Sequence, residues 1–137
     1  MRSIKIMLVI LFLSQGALHA QAQQRNFNFL NNYDGKYPYE VKLLKNPQIK
    51  NALMKLLGNR YSFFVRTWSV ETPMTVKDGI FVASACMAHN CGDTNFIIVV
   101  DIANKKVFAG IREDTKVTTY PANADYPQAI PDWINNN

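Results

Sequence analysis

The chain of 137 residues is short of the groups that most catalytic and metal chemistry needs. It has two cysteines, Cys86 and Cys91, and two histidines, His19 and His89. Zinc asks for four ligands, and no second Cys or His cluster completes a set begun by Cys86, His89 and Cys91. Their spacing is not Cys-x-x-Cys, so a redox pair of that type is excluded. No Ser-His-Asp order and no paired glutamates stand out. Beyond residue 22 the glutamates are Glu40, Glu71 and Glu113, none with an obvious carboxylate partner. The reading is therefore not an enzyme, with no catalytic residue, no metal and no cofactor. The positive residues, among them Lys36, Lys50, Lys55 and Arg66, are scattered and not interleaved with aromatics, which argues against nucleic acid. There is no internal repeat.

Long apolar runs are also scarce, and the first sits at the N-terminus. Arg2 and Lys5 precede Ile6 to Leu13, Ser14 to Gly16 break the run, and Ala20-Gln21-Ala22 gives a small-x-small cleavage pattern. This predicts a signal peptide at residues 1–22. The run is too short to span a bilayer, which takes about 20 residues. No cysteine lies near the cleavage site, so lipid attachment is excluded and no membrane contact is expected after cleavage. The expected location is the periplasm, reached by secretion. Removing Arg2 and Lys5 takes the formal charge from +5 to +3. Residues 23–137 are expected to form a single domain, a normal size for one.

What is present reads as a small α+β scaffold. Gln23 to Asn32 is rich in Gln and Asn and reads as frayed. Asn46-Pro47 opens a helix that Gly58 stops, with Ile49, Leu53, Leu56 and Leu57 on one stripe. Phe63 to Trp68 is too short and apolar to separate strand from helix. Asp78-Gly79 between Thr75–Lys77 and Ile80–Ala85 is a strong hairpin signal. Thr94 to Ile102 reads as a central strand, and Lys106 to Arg112 and Lys116 to Tyr120 follow as strands after tight turns. The pattern predicts an antiparallel β-sheet meander, with helical turns near Trp133 docked on it. Lys116 to Tyr120 is a candidate edge for a homodimer.

One joint of the meander is not a tight turn. It holds Cys86-Met87-Ala88-His89-Asn90-Cys91-Gly92. In an oxidising compartment a cysteine pair persists as a disulfide, and Cys86–Cys91 closes a small loop with an imidazole at its tip. Closing about six residues is worth on the order of 2 kcal/mol in the loop-entropy picture. Gly92 is expected to supply a positive φ where the loop leaves the bridge, and Asn90 to stiffen the turn. An exposed imidazole can donate a hydrogen bond to a carboxyl group, and its charged form can pair with two.

Ser84-Ala85-Cys86-x-x-His89-x-Cys91-Gly92, together with Thr72-Pro73, Asp78-Gly79 and Val107-Phe108-Ala109-Gly110-Ile111, resembles the inhibitor of vertebrate lysozyme (Ivy) family over about Phe63 to Asp114. The resemblance implies an antiparallel sheet with flanking helices and a protruding disulfide loop. It also implies that the loop enters the cleft of a c-type lysozyme, or of another peptidoglycan-cleaving enzyme, and sets His89 between the catalytic carboxylates. Family loops usually carry Lys-Pro before the histidine and Asp after it; here Met87-Ala88 and Asn90 stand there. A mildly basic protein and a basic animal lysozyme repel at long range, which keeps two alternatives: regulation of endogenous lytic transglycosylases, or immunity against a secreted wall-degrading toxin.

Overall fold

The computed structural model describes residues 25–136, so the expected signal peptide lies outside the described residues. Helix α1 spans Pro47–Leu57. The Asn46 side chain accepts from the backbone N–H of Gln48 at 3.0 Å and of Ile49 at 3.3 Å. That satisfies donors the first turn leaves without helical partners, and Pro47 loses nothing at the first helical position. Gly58, at φ 53°, ends the helix. Ile49, Leu53 and Leu57 are buried, and Leu56 packs at the margin of the same core.

The ambiguous run resolves as helix α2, Tyr61–Thr67, capped by Trp68. Phe64 and Trp68 are four residues apart, so they share one face. Their ring centroids lie 5.3 Å apart, and Phe64 meets the sheet's Phe96 edge-on at 5.1 Å. Phe64 and Phe96 are both fully buried. At about 1.5–3 kcal/mol for each such side chain, this contact is a large part of what ties α2 to the sheet.

Among the described residues six strands make one antiparallel sheet: β1 Val70–Glu71, β2 Thr75–Lys77, β3 Ile80–Cys86, β4 Thr94–Asp101, β5 Lys106–Glu113 and β6 Lys116–Tyr120. The spatial order is β1-β3-β4-β5-β6, and β2 pairs with β3 alongside β1. The predicted meander is therefore right, with a two-residue β1 added. Asp78 and Gly79 both have positive φ, 51° and 76°, as a two-residue hairpin between β2 and β3 requires. Alternation then sorts the side chains. Phe81, Ala83 and Ala85 of β3 join Phe96, Ile98 and Val100 of β4 in the main core under α1 and α2. Ile97 and Val99 of β4 face the other way, into a smaller core with Phe108 and Ile130. Burial on both faces explains why β4 reads as a continuous apolar run.

One expectation is corrected at the N-terminal end. Gln23 to Asn32 was expected to fray, yet Asn28–Tyr33 forms a 3-10 helix and Phe27 and Leu30 are fully buried. Two apolar residues three apart suit that helix, whose side chains eclipse at i and i+3.

On the smaller face, helix α3, Ala129–Asn135, is held by Ile130 and Trp133. Gly110 makes room for Trp133: a Cβ there would lie 2.4 Å from the indole Cζ3. The Arg112 guanidinium sits 5.3 Å from the indole centroid and donates to the Ile134 carbonyl at 3.0 Å. No helix among the described residues is long and apolar enough to cross a membrane.

Candidate functional site

Strands β3 and β4 end together, and the loop begins where they stop. Their last paired residues are Cys86 and Asn95, and the Met87 N–H donates to the Thr94 carbonyl at 2.9 Å. Residues 87–93 project beyond this rung. The disulfide Cys86–Cys91 closes them, with 4.8 Å between the Cα atoms, inside the usual span for such a bridge.

Inside the loop the backbone makes two turns in succession. The Asn90 N–H donates to the Met87 carbonyl at 3.0 Å, which puts Ala88 and His89 at the two central positions. His89 has φ 62°, while Ala88 is not among the positive-φ residues. Negative then positive φ is the type II pattern, whose third position favours glycine or asparagine. Here a histidine holds it, and its side chain is exposed. The Asn90 carbonyl then accepts from the N–H groups of Asp93, at 3.2 Å, and Thr94, at 2.9 Å. Asn90 Nδ2 donates to Thr94 Oγ1 at 3.2 Å, and Asn95 Nδ2 donates to the Cys91 carbonyl at 3.3 Å. Thr94 and Asn95 are buried, so the loop rests on a fixed base.

The local stiffening expected of Asn90 is present. The role expected of Gly92 is not: its φ is not positive, and a Cβ would meet nothing within 4 Å. The strained position is His89 itself, because the tight reversal falls at the tip of the loop and not at its exit.

The surroundings add features that spacing alone did not reveal. The Asp114 N–H, in the turn between β5 and β6, donates to the Asp93 carbonyl at 2.8 Å. This places two exposed carboxylate residues side by side at the loop's flank. Asp114 reads in sequence only as a turn former, and nothing in the string ties it to Asp93. Met87 and Val70 are exposed apolar residues, 40% and 50% accessible, at the loop and on the strand pairing with Cys86. Between Val70, the disulfide and Trp133 lies a shallow hollow of about 370 Å³. At the start of α2, burial raises the Tyr61 hydroxyl above its ordinary value of 10.0. Among the described residues no group of three His, Cys, Asp or Glu side chains is placed to hold a metal ion.

The fold and the loop define a class: a small single-sheet domain that presents one cross-linked, histidine-tipped loop. The sequence model of the family described as inhibitor of vertebrate lysozyme (Ivy) matches residues 48–137, and the chain belongs to that family. The matched span begins in α1 and takes in the whole sheet, the loop and α3. Comparison with curated proteins and with solved structures gave no match.

Proposed function

We propose that this protein is an exported inhibitor of lysozyme-type glycosidases that inserts the Cys86–Cys91 loop into the catalytic cleft and presents His89 to the paired carboxylates. The observation that carries the reading is the placement of His89: exposed, at the tip of a cross-linked loop, on a backbone held at φ 62°. Family membership supports the class of partner.

The chemistry of the contact follows from the groups. A neutral imidazole donates one N–H and accepts at the other nitrogen, so it pairs with one acid and one carboxylate. An imidazolium donates twice, and charge-assisted bonds to carboxylates are the stronger kind. Either way the side chain occupies the space of the scissile bond and holds the proton the acid must deliver. The bridge and the loop's internal hydrogen bonds fix the backbone before binding. That avoids part of the loop-ordering cost of binding, while the exposed side chains of Met87 and His89 still have to be immobilised. Met87 and Val70 add apolar area beside the tip, and Met adapts to an irregular surface.

Charge supports a basic target better than the net value suggests. Asp93 and Asp114 flank the loop, beside the Arg60–Glu113 ion pair and one further cation, Lys116, which leaves that end with a small negative excess, while Lys105 and Lys106 lie at the other end of β4 and β5. The carboxylates at the loop end therefore favour approach by a cationic enzyme in the productive orientation. The same reading takes residues 1–22 as a signal peptide, 23–137 as one domain and the periplasm as the site of action.

The test is titration of the purified mature protein into a cell-wall lysis assay with c-type lysozyme, beside His89→Ala. Near-stoichiometric loss of lysis, restored by the substitution, supports the mechanism. Equal inhibition by both proteins removes His89 from it. Absence of inhibition by the wild type points instead to lytic transglycosylases, with Met87, Ala88 and Asn90 setting the different target.

A further inference from the structure

The pole of the sheet opposite the loop carries a second feature, independent of the first. Strand β6 pairs with β5 only from Ala109 to Glu113, because the chain leaves the sheet after Tyr120. Lys106, Val107 and Phe108 therefore pair with β4 on one side and have no strand on the other. In an antiparallel sheet alternate residues direct their N–H and C=O to opposite neighbours, so part of this segment offers its backbone outward. A cavity of about 570 Å³ lies along this gap, between α1 and the segment around Pro121.

The rim of that cavity is cationic. Arg25, Lys55, Lys105 and Lys106 line it, against one carboxylate, Asp125. None of the four cations forms a salt bridge; among the described residues the ion pair is Arg60–Glu113. The floor is apolar, formed in part by Leu56 and Phe108. Lys106 also faces Asp101 across β4, so the rim is partly balanced yet still net positive. An open strand edge, an apolar floor and a net positive rim ask for three things in one ligand: a backbone to pair, apolar side chains pointing in, and carboxylates pointing out. An extended peptide with alternating acidic and apolar residues has all three. A folded globular surface lacks the free backbone, and a lone anion leaves the floor and the strand edge unused.

We propose that the β5 edge at Lys106–Phe108 is a docking site for an extended acidic segment of a partner protein, added as a further strand. The site lies about 24 Å from the loop, the length of β4's eight residues. Both poles are thus able to engage at once, and the inhibitor links a glycosidase to a second envelope protein.

The experiment uses the mature chain and a fluorescein-labelled peptide alternating glutamate and valine, read by anisotropy and by amide chemical shifts. Saturable binding that weakens with salt, with the largest shifts at Val107 and Phe108, is the expected result. The double variant Lys55→Glu/Lys106→Gln is expected to bind the peptide about tenfold more weakly while inhibiting lysis as well as wild type. That last readout separates this site from the loop. The proposal is overturned by equal binding of a lysine–valine peptide, by shifts centred on β6 or β1 instead, or by tighter association with phosphatidylglycerol vesicles than with the peptide.

Discussion

Replacing His89 by glycine is expected to improve the fold and abolish the function. A left-handed φ of 62° costs a non-glycine residue about 1–2 kcal/mol, and glycine does not incur it. Glycine's greater freedom in the unfolded chain takes back about 0.5–1 kcal/mol. The balance leaves His89→Gly between neutral and about 1.5 kcal/mol more stable than wild type. For about 115 residues, between the sizes at which 1 kcal/mol moves Tm by about 4–8 °C and about 2–4 °C, that is a rise of up to about 6 °C. His89→Ala keeps the backbone cost and is expected to stay within about 0.5 kcal/mol of wild type. His89→Ile sets a β-branched side chain at positive φ and is expected to lose stability. The assay is thermal unfolding by circular dichroism without reductant, run beside the lysis assay. All three variants lose the imidazole and are expected to lose inhibition, whatever the sign of their stability change. A glycine variant less stable than wild type by more than about 1 kcal/mol would refute the backbone argument. One that still inhibits fully would refute the role of the imidazole.

Other perturbations follow from the same geometry. Ala88→Pro places proline at the second position of the type II turn, where its φ is preset, and is expected to add about 0.4–1 kcal/mol of stability; denaturant titration checks this, and a loss of stability would contradict the turn assignment. Gly110→Ala drives a methyl into Trp133 and is expected to cost about 1–3 kcal/mol, with a shift in tryptophan fluorescence as α3 lifts; an unchanged spectrum and Tm would mean that α3 docks otherwise. The Asp101 carboxyl is held below its ordinary 3.8, first by the Asn104 side chain at 2.8 Å, then by the Asn104 backbone N–H and the charge of Lys106. A carboxyl lowered in the folded state stabilises above its ordinary value, and that contribution is lost as pH falls through the folded one. Asn104→Ala is therefore expected to be less stable near neutrality and to converge on wild type in acid; a gap that persists at low pH would exclude this origin.

The legible and illegible parts of the chain divide by how far a signal reaches. Helix α1 was readable because Asn46, Pro47 and Gly58 act on their own neighbours. The β2–β3 hairpin was readable because Asp78-Gly79 alone meets the torsional demand of the turn. Strand β1 was not, since two residues carry no period and exist as strand only through pairing with β3. Phe63 to Trp68 stayed ambiguous until Phe96 supplied a partner for the face that Phe64 and Trp68 share. The polar look of Gln23 to Asn32 hid Phe27 and Leu30, whose burial depends on the core beneath them. In the loop, cysteine spacing and histidine position were visible in the string. The assignment of positive φ to Gly92 followed residue preference, whereas the place of the reversal was set by where β3 and β4 stop. Asp114 escaped notice because its tie to Asp93 crosses twenty-one positions of sequence through one backbone hydrogen bond.

The base of the loop has a consequence for how such a protein changes. Met87 and His89 stand out from the core, and the base beneath the loop is closed by Cys86, Cys91, Thr94 and Asn95. Mutations at the tip therefore reach the stability of the domain only through the backbone preferences of the turn, not through the core, in the way a replaceable bit is separate from its handle. A lineage can rewrite what the loop grips one substitution at a time, within the residues that the turn accepts.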